Sequence, residues 1–376
     1  MRFYIHSRSD FHAPLFFIDF IVTRQYKYCT GAIAVLWFIF VVVDVLFNKN
    51  EINYVIPKPK QYEKNFKILL YAPPNWISTS VSSFRLYDCR FKNCNISCDK
   101  SSVADSDLVI FHHNEMNIEP PTKTTNQKWV FWSFESSVHT NKNFKRSQWK
   151  NKFDMTMSYR QDSQGYAPYN KLRRKTVENV RNYSDIFKRK KKDVAWIVSH
   201  CETSSKREQY VSKMKTVINV DVYGRCGKPC KWTGTGCLKN LSKDYKFYLS
   251  FENSICEDYV TEKVFNVYND GVDIIPIVRG APNIKGLLPN GTFISTLDFN
   301  SPKELAKYLK MISLNETKYV EYLKTKDSFV TSGSSFLLEG LCSLCTKLNK
   351  GLENTASFNL LNWFSAKQCR APNDLN

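Results

Sequence analysis

The sequence predicts an α/β protein: two α/β domains behind an apolar N-terminal segment. Three observations predict it. From residue 194 onward, short apolar strand-like runs alternate with capped helical segments, the pattern of parallel strands joined by crossover helices. The chain has 376 residues, 43% hydrophobic and 14% aromatic, which excludes a disordered or collagen-like protein and is long enough for two cores. A single stretch near the N-terminus, Gly31 to Phe47, holds 17 residues with one charge, Asp44. The balance of 54 Lys+Arg against 35 Asp+Glu gives a formal charge of +19. That charge fits nucleic-acid binding, nucleotide-phosphate binding or a merely basic surface.

The elements follow in order. Arg2, Arg8, Arg24 and Lys27 precede the apolar stretch. Basic residues there keep an N-terminus cytosolic, so residues 1–28 read as a cytosolic tail and 29–47 as a transmembrane signal anchor with a lumenal body behind it. Up to Phe47 four cations face three anions, so about +18 of the charge lies on the lumenal side, where nucleic acid is no partner. Five Asn-x-Ser/Thr sequons, at Asn95, Asn182, Asn240, Asn290 and Asn315, fit a glycosylated lumenal domain. Eleven of the 12 cysteines follow the anchor, and in an oxidising lumen they read as disulfides with at least one left over. Cys342 and Cys345 have no matching Cys/His pair at zinc-finger spacing.

Residues 48–65, with Pro57 and Pro59, read as a stem. A first domain, 66–187, opens on the strand Phe66–Tyr71 and continues with apolar runs at Leu108–Phe111 and Trp129–Trp132. The run Lys188–Lys192 reads as a solvated interdomain linker. A second domain, 193–350, contains strands at Val194–Ser199, Val220–Tyr223, Phe247–Phe251 and Ile274–Val278. Between them, Ser205 and Glu208 spell a capping box for a helix to about Thr216, and a second helix is predicted over Asp258–Tyr268. Ser301-Pro302-Lys303-Glu304 opens a third. A tail, 351–376, is expected to pack back on the first domain.

The densest chemistry lies in Tyr248–Lys263, read as a strand, a polar loop and a helix start at the carboxyl edge of a parallel sheet, where ligands bind. Lys263 offers charge to a phosphate there, and Glu262 can accept hydrogen bonds from sugar hydroxyls. Phe251-Glu252-Asn253 followed by Tyr259-Val260-Thr261-Glu262-Lys263 closely resembles the α1,3-fucosyltransferase motif of glycosyltransferase family 10. Trp196–Cys201, Val220–Gly227, Ile275–Val278, Asn290–Ile294, Phe134-Glu135-Ser136 and Ser158–Ser163 resemble further segments of that family, so that the likeness covers roughly residues 66–350.

The resemblance implies a GT-B fold, two facing Rossmann-like domains, and inverting transfer of fucose from GDP-fucose to a GlcNAc-containing glycan. It implies Glu135 as general base, although Ser137 stands where many relatives carry Pro. It implies Arg207, at the second position of its capped helix, and Lys263 as the cations on the departing diphosphate. Glu262 would hold ribose or fucose hydroxyls, and Asn253 and Tyr259 would line the donor pocket, Tyr259 facing the nucleotide. It also implies Golgi residence as a single-pass type II membrane protein. No obligatory metal is expected, manganese being at most a stimulant, and Asp105-Ser106-Asp107 reads as a turn or strand start. His112 and His113 read as structural, and His139 as a lining residue of the acceptor site. By the same resemblance, Cys89, Cys94 or Cys98 would pair with Cys342 and Cys345. The rival expectation is a catalytically inactive lumenal glycan-binding protein.

Overall fold

The computed structural model describes residues 64–74, 77, 86, 89–177, 180–232, 234–333, 335–351, 358–365 and 368–376. All of these fall in one compact unit, Tyr62–Asn376. The predicted cytosolic tail, the anchor and the stem up to residue 63 lie outside the described residues. Among the described residues, no helix is long and apolar enough to cross a membrane.

The first half is a six-stranded parallel sheet. Its strands are β1 (Phe66–Ala72), β2 (Cys94–Ser97), β3 (Leu108–His112), β4 (Lys128–Ser133), β5 (Met155–Ser158) and β6 (Gly165–Tyr166). The order is β2-β1-β3-β4-β5-β6. The connection to the second half carries β7 (Leu172–Arg174) and α1 (Tyr183–Arg189). The second half contains β8 (Lys192–Ile197), α2 (Arg207–Met214), β9 (Val220–Tyr223), α3 (Thr235–Asp244), β10 (Tyr245–Phe251), β11 (Ile255–Cys256), α4 (Glu262–Phe265), β12 (Ile275–Arg279) and β13 (Ile294–Ser295). Its parallel sheet runs β13-β12-β10-β8-β9. Both sheets reverse strand order beside their first strand, β1/β3 and β8/β10, the switch point where doubly wound folds bind ligands.

These strands read as apolar runs because both faces are covered. In the first sheet, Leu108, Ile110, Val130 and Trp132 face one core, and Val109, Phe111, Trp129 and Phe131 face the other. In the second, Trp196, Phe247, Leu249 and Ile277 pack under α2 and under α5 (Pro302–Leu314) and α6 (Glu316–Asp327), while Ala195 and Tyr248 meet α3.

The chain then returns through β14 (Phe329–Thr331) to α7 (Phe336–Lys350), α8 (Leu360–Trp363) and β15 (Cys369–Arg370). The predicted second domain included α7, but this helix packs on the first sheet. Leu337, Leu341, Leu344, Cys345 and Leu348 form its buried stripe. Gly340 lets it come close: a Cβ there would stand 2.7 Å from Met157 Sδ. Two disulfides, Cys89–Cys342 and Cys94–Cys345, tie it down, as the family resemblance implied. Beyond it, Leu360 and Phe364 join the aromatic core on the other face of the same sheet.

Three local expectations fail for identifiable reasons. Lys188–Lys192 is exposed at four of its five residues, but it is no linker. Lys188 and Arg189 end α1, Lys192 starts β8, and Lys190 is buried with its ammonium donating to the carbonyls of Ser242 and Tyr245 at the end of α3. The Ser205–Glu208 capping box does not form: the helix begins at Arg207 behind Lys206, and the Ser205 hydroxyl donates to the Glu252 carbonyl (2.7 Å). The Asp258–Tyr268 helix is shorter: Asp258 adopts φ +62°, and the helix begins at Glu262 behind the Thr261 N-cap. At Ser301 the sequence is right, since its hydroxyl accepts from the Glu304 N–H and Pro302 opens α5.

Candidate active site

The carboxyl ends of both sheets open onto one cleft of ≈ 760 Å³. His113, Glu135, His139 and Tyr169 come from the first half. Ser199, Arg207, Tyr248, Asn253, Tyr259, Glu262 and Lys263 come from the second. Every catalytic and donor-site residue singled out in the sequence therefore lines this one cleft.

Glu135 follows β4 directly. Its backbone is pinned: its N–H donates to the Ser133 hydroxyl (3.2 Å), and its carbonyl accepts from Thr140 (3.2 Å). Its carboxylate accepts from the hydroxyl of Tyr259 at 3.2 Å. Tyr259 is 1% exposed. Burial, reinforced by Tyr169 and Glu135, holds its phenol well above the usual range, so it remains a donor. Tyr259 lines the cleft and reaches across to the carboxylate of the opposite half.

Neighbouring residues fasten the two loops together. The Ser136 and Ser254 hydroxyls share a hydrogen bond of 2.7 Å. Ser137 has its hydroxyl 3.3 Å from Cys369 Sγ. Cys369 is disulfide-bonded to Cys256 in the donor loop, and β15 pairs antiparallel with β11. The sequence did not foretell this pairing, which spans 113 residues. Cys201–Cys226 and Cys230–Cys237 complete the bonded set, and Cys98 is the free thiol among the described residues.

Arg207 is the first residue of α2, not the second, and follows Lys206 at φ +48°. Its guanidinium is 3% exposed and donates to the carbonyls of Phe251 (2.6 Å) and His200 (3.1 Å). Its Nε has no partner among the described residues. Two backbone carbonyls therefore fix a buried cation at the cleft wall with donor capacity left over. Lys263 is a quarter exposed, and its ammonium meets Thr261 Oγ1 (2.8 Å), Glu252 (3.1 Å) and Glu262 (3.1 Å). Burial alone would lower its pKa, but Glu252 and Glu262 more than offset that and raise it. Glu262 is half exposed at the rim. Asn253 is buried, with its carbonyl accepting from Ser204 (3.0 Å) and its side chain accepting from Ser254 (3.1 Å). The helix bearing Lys263 has four residues before a 3-10 turn, too short for a macrodipole to add much to its charge.

His139 stands at the rim, 3.3 Å from the Ser204 hydroxyl. His113 lines the cleft and accepts the Asn141 N–H on Nδ1 (3.0 Å). Burial lowers its pKa to about 4, and that of His112 to about 3. Asp107 pairs with Lys64 (2.6 Å) and accepts the Lys67 N–H (2.8 Å), so it is a strand-start anchor. Glu252 was passed over in the sequence. It is 2% exposed beneath Lys263, and its only linear signal is its place inside the Phe-Glu-Asn segment.

The family described as fucosyltransferase, N-terminal, matches residues 63–170, and glycosyltransferase family 10 (fucosyltransferase) C-term matches residues 187–364. The 4-galactosyl-N-acetylglucosaminide 3-alpha-L-fucosyltransferase FUT5 of Homo sapiens is 33% identical over 281 residues, 73% of either chain. The chain belongs to glycosyltransferase family 10, the fucosyltransferases. Another member, alpha-(1,3)-fucosyltransferase fut-1 of Caenorhabditis elegans, is 34% identical over 278 residues; the match spans 70% of this fucosyltransferase-family chain and 62% of that protein. A crystal structure of an α1,3-fucosyltransferase with GDP-fucose shares the fold, with a TM-score of 0.52 at 19% identity, covering 80% of this chain and 94% of that one.

Proposed function

We propose that this family 10 member is an inverting α1,3-fucosyltransferase that moves L-fucose from GDP-fucose to a GlcNAc hydroxyl of a glycoprotein glycan, at the N-glycan core or an antenna. The observation that carries the reading is the shared cleft: a carboxylate from one half, Glu135, and two cations from the other, Arg207 and Lys263, face the same space. Glu135 takes the proton of the acceptor hydroxyl as its oxygen attacks fucose C1. The bond from C1 to the β-phosphate oxygen breaks on the opposite face, and GDP leaves with charge developing on that phosphate. Lys263 and Arg207 stabilise this charge, Arg207 with a fixed planar donor set and Lys263 as a point charge. Glu262, half exposed at the rim, accepts from ribose or fucose hydroxyls, and Asn253 walls the donor pocket. Tyr259 orients the base by its hydrogen bond. The basic stretch before Gly31–Phe47 and the five sequons support a Golgi type II membrane protein with the catalytic half lumenal. Manganese is a stimulant at most.

The test uses the purified lumenal portion with GDP-fucose and GlcNAc-bearing acceptors, core and antennal. Glu135→Gln keeps an acceptor for Tyr259 but removes the base. Transfer should fall about 10²–10⁴-fold, the usual worth of general-base catalysis, with GDP affinity retained. Transfer within a factor of about three of wild type refutes the base assignment on that scale. Lys263→Ala should slow transfer and weaken GDP binding, and no change in either sinks its phosphate role.

A further inference from the structure

The Lys263 ammonium has three partners. Two are buried: it donates to Thr261 Oγ1 (2.8 Å) and forms an ion pair with the Glu252 carboxylate (3.1 Å). The third, which accepts an N–H (3.1 Å), is Glu262, 54% exposed on its side chain. The three partners are not equivalent. Glu262 can swing into solvent, whereas Glu252 is locked. Its side chain accepts from the Thr261 N–H (2.9 Å) and the Thr261 hydroxyl (2.8 Å). Its own N–H donates to the Arg279 carbonyl (2.8 Å), which joins the end of β10 to the end of β12. Its carbonyl accepts from Ser205 (2.7 Å). Gly280 leaves room for this side chain: a Cβ there would stand 2.6 Å from Glu252 Cγ and 3.0 Å from its Cβ.

We propose that Glu252 is the positioning residue of the donor site, anchoring the Lys263 ammonium so that the N–H now held by Glu262 is the one offered to the departing diphosphate. The inference rests on the phosphate role of Lys263. Glu252 touches no substrate; it acts through Lys263. Removing its charge should therefore cost leaving-group stabilisation and spare ground-state binding, since a negative charge near the diphosphate is lost at the same time.

The experiment measures kcat with GDP-fucose and acceptor, and GDP affinity by calorimetry, for Glu252→Gln, Gly280→Ala, Lys263→Ala and the double variant Glu252→Gln/Lys263→Ala. Glu252→Gln should lower kcat about ten-fold, within the range of coupling between residues of one ion-pair network, while GDP affinity holds or rises. Gly280→Ala, which displaces Glu252 from behind, should give the same kcat-selective loss and serves if the first variant does not fold. The double variant should be no slower than Lys263→Ala alone. Additive losses, or kcat of wild-type size in Glu252→Gln and Gly280→Ala while Lys263→Ala is slow, overturn the proposal alone. A Lys263→Ala enzyme with unchanged kcat and GDP affinity overturns it together with the donor-site reading beneath it.

Discussion

The Arg279–Asp374 pair offers the most direct perturbation of the fold beneath the donor loop. Arg279 ends β12, and its side chain is 1% exposed. Nε and Nη2 donate to the two carboxylate oxygens of Asp374, at 2.9 and 2.7 Å. Nη1 donates to the Ser205 carbonyl (2.7 Å), two residues before Arg207. The Tyr210 ring lies 4.8 Å from the guanidinium carbon. Asp374→Ala leaves that cation buried and uncompensated. Breaking a buried pair from one side costs about 3–5 kcal/mol, and the low end, about 3 kcal/mol, applies because Asp374 is itself 20% exposed and water can reach the vacated place. Asp374→Asn retains one acceptor and should lose about 2 kcal/mol, one hydrogen bond of about 1 kcal/mol being kept. Unfolding of the purified unit Tyr62–Asn376 in urea, with intact disulfides, reads this loss as a lower midpoint at unchanged slope. GDP affinity should fall as well, because Arg279 also holds the loop that leads to Arg207. Replacing both partners, Arg279→Met with Asp374→Leu, should recover part of the stability, since no charge is then stranded. A single variant within about 0.5 kcal/mol of wild type, the ordinary scatter of surface substitutions, or a double variant whose loss is the sum of the singles, refutes this reasoning.

Two further outcomes follow from buried groups outside the cleft's chemistry. Lys190→Met leaves the Ser242 and Tyr245 carbonyls without their donor, at about 1–3 kcal/mol each, and should lower the urea midpoint far more than Lys192→Met at the exposed strand start. His112 and His113 have folded pKa values of about 3 and about 4, both below the unfolded value near 6.5. Between those values the unfolded chain binds more protons, so their contribution is complete above about pH 6.5 and is lost as pH falls through that window. The urea midpoint should therefore drop from pH 7 to pH 5. His112→Phe, whose Nδ1 has no partner among the described residues, should flatten that slope; an equal slope in the variant rejects the assignment.

Much of the scaffold was legible because parallel strands buried on both faces leave short apolar runs, as in Leu108–Phe111 and Phe247–Leu249. The cleft was legible for a different reason. Its cations and carboxylates sit in the loops and helix starts that follow strands, and the resemblance named them residue by residue. The misses share one cause, which is partners distant in sequence. Ser205 carries every local sign of a helix cap, yet its hydroxyl is taken by Glu252, 47 residues away. Tyr259 falls inside the predicted Asp258–Tyr268 helix on paper, but Glu135, 124 residues away, accepts its hydroxyl. Lys190 sits in a run of five basic residues, and only the end of α3 makes it a buried donor.

These distant contacts converge on one mechanical point. The Glu135 loop and the donor loop are joined at Tyr259, at Ser136–Ser254, and at Ser137 beside the Cys256–Cys369 bond. The segment carrying Cys369 continues to Asp374, whose grip on Arg279 holds the Ser205 carbonyl. Glu252 meets the same loop through Ser205 and the same strand end through Arg279. The proposed base and leaving-group cation, borne on separate sheets, gain a fixed relation only if something spans them, and a displacement of about 1 Å can cost about 10²-fold in rate. The tail residues 369–375 supply that span, so their contribution is to geometry. Substitutions there should lower kcat even though none of these side chains lines the cleft.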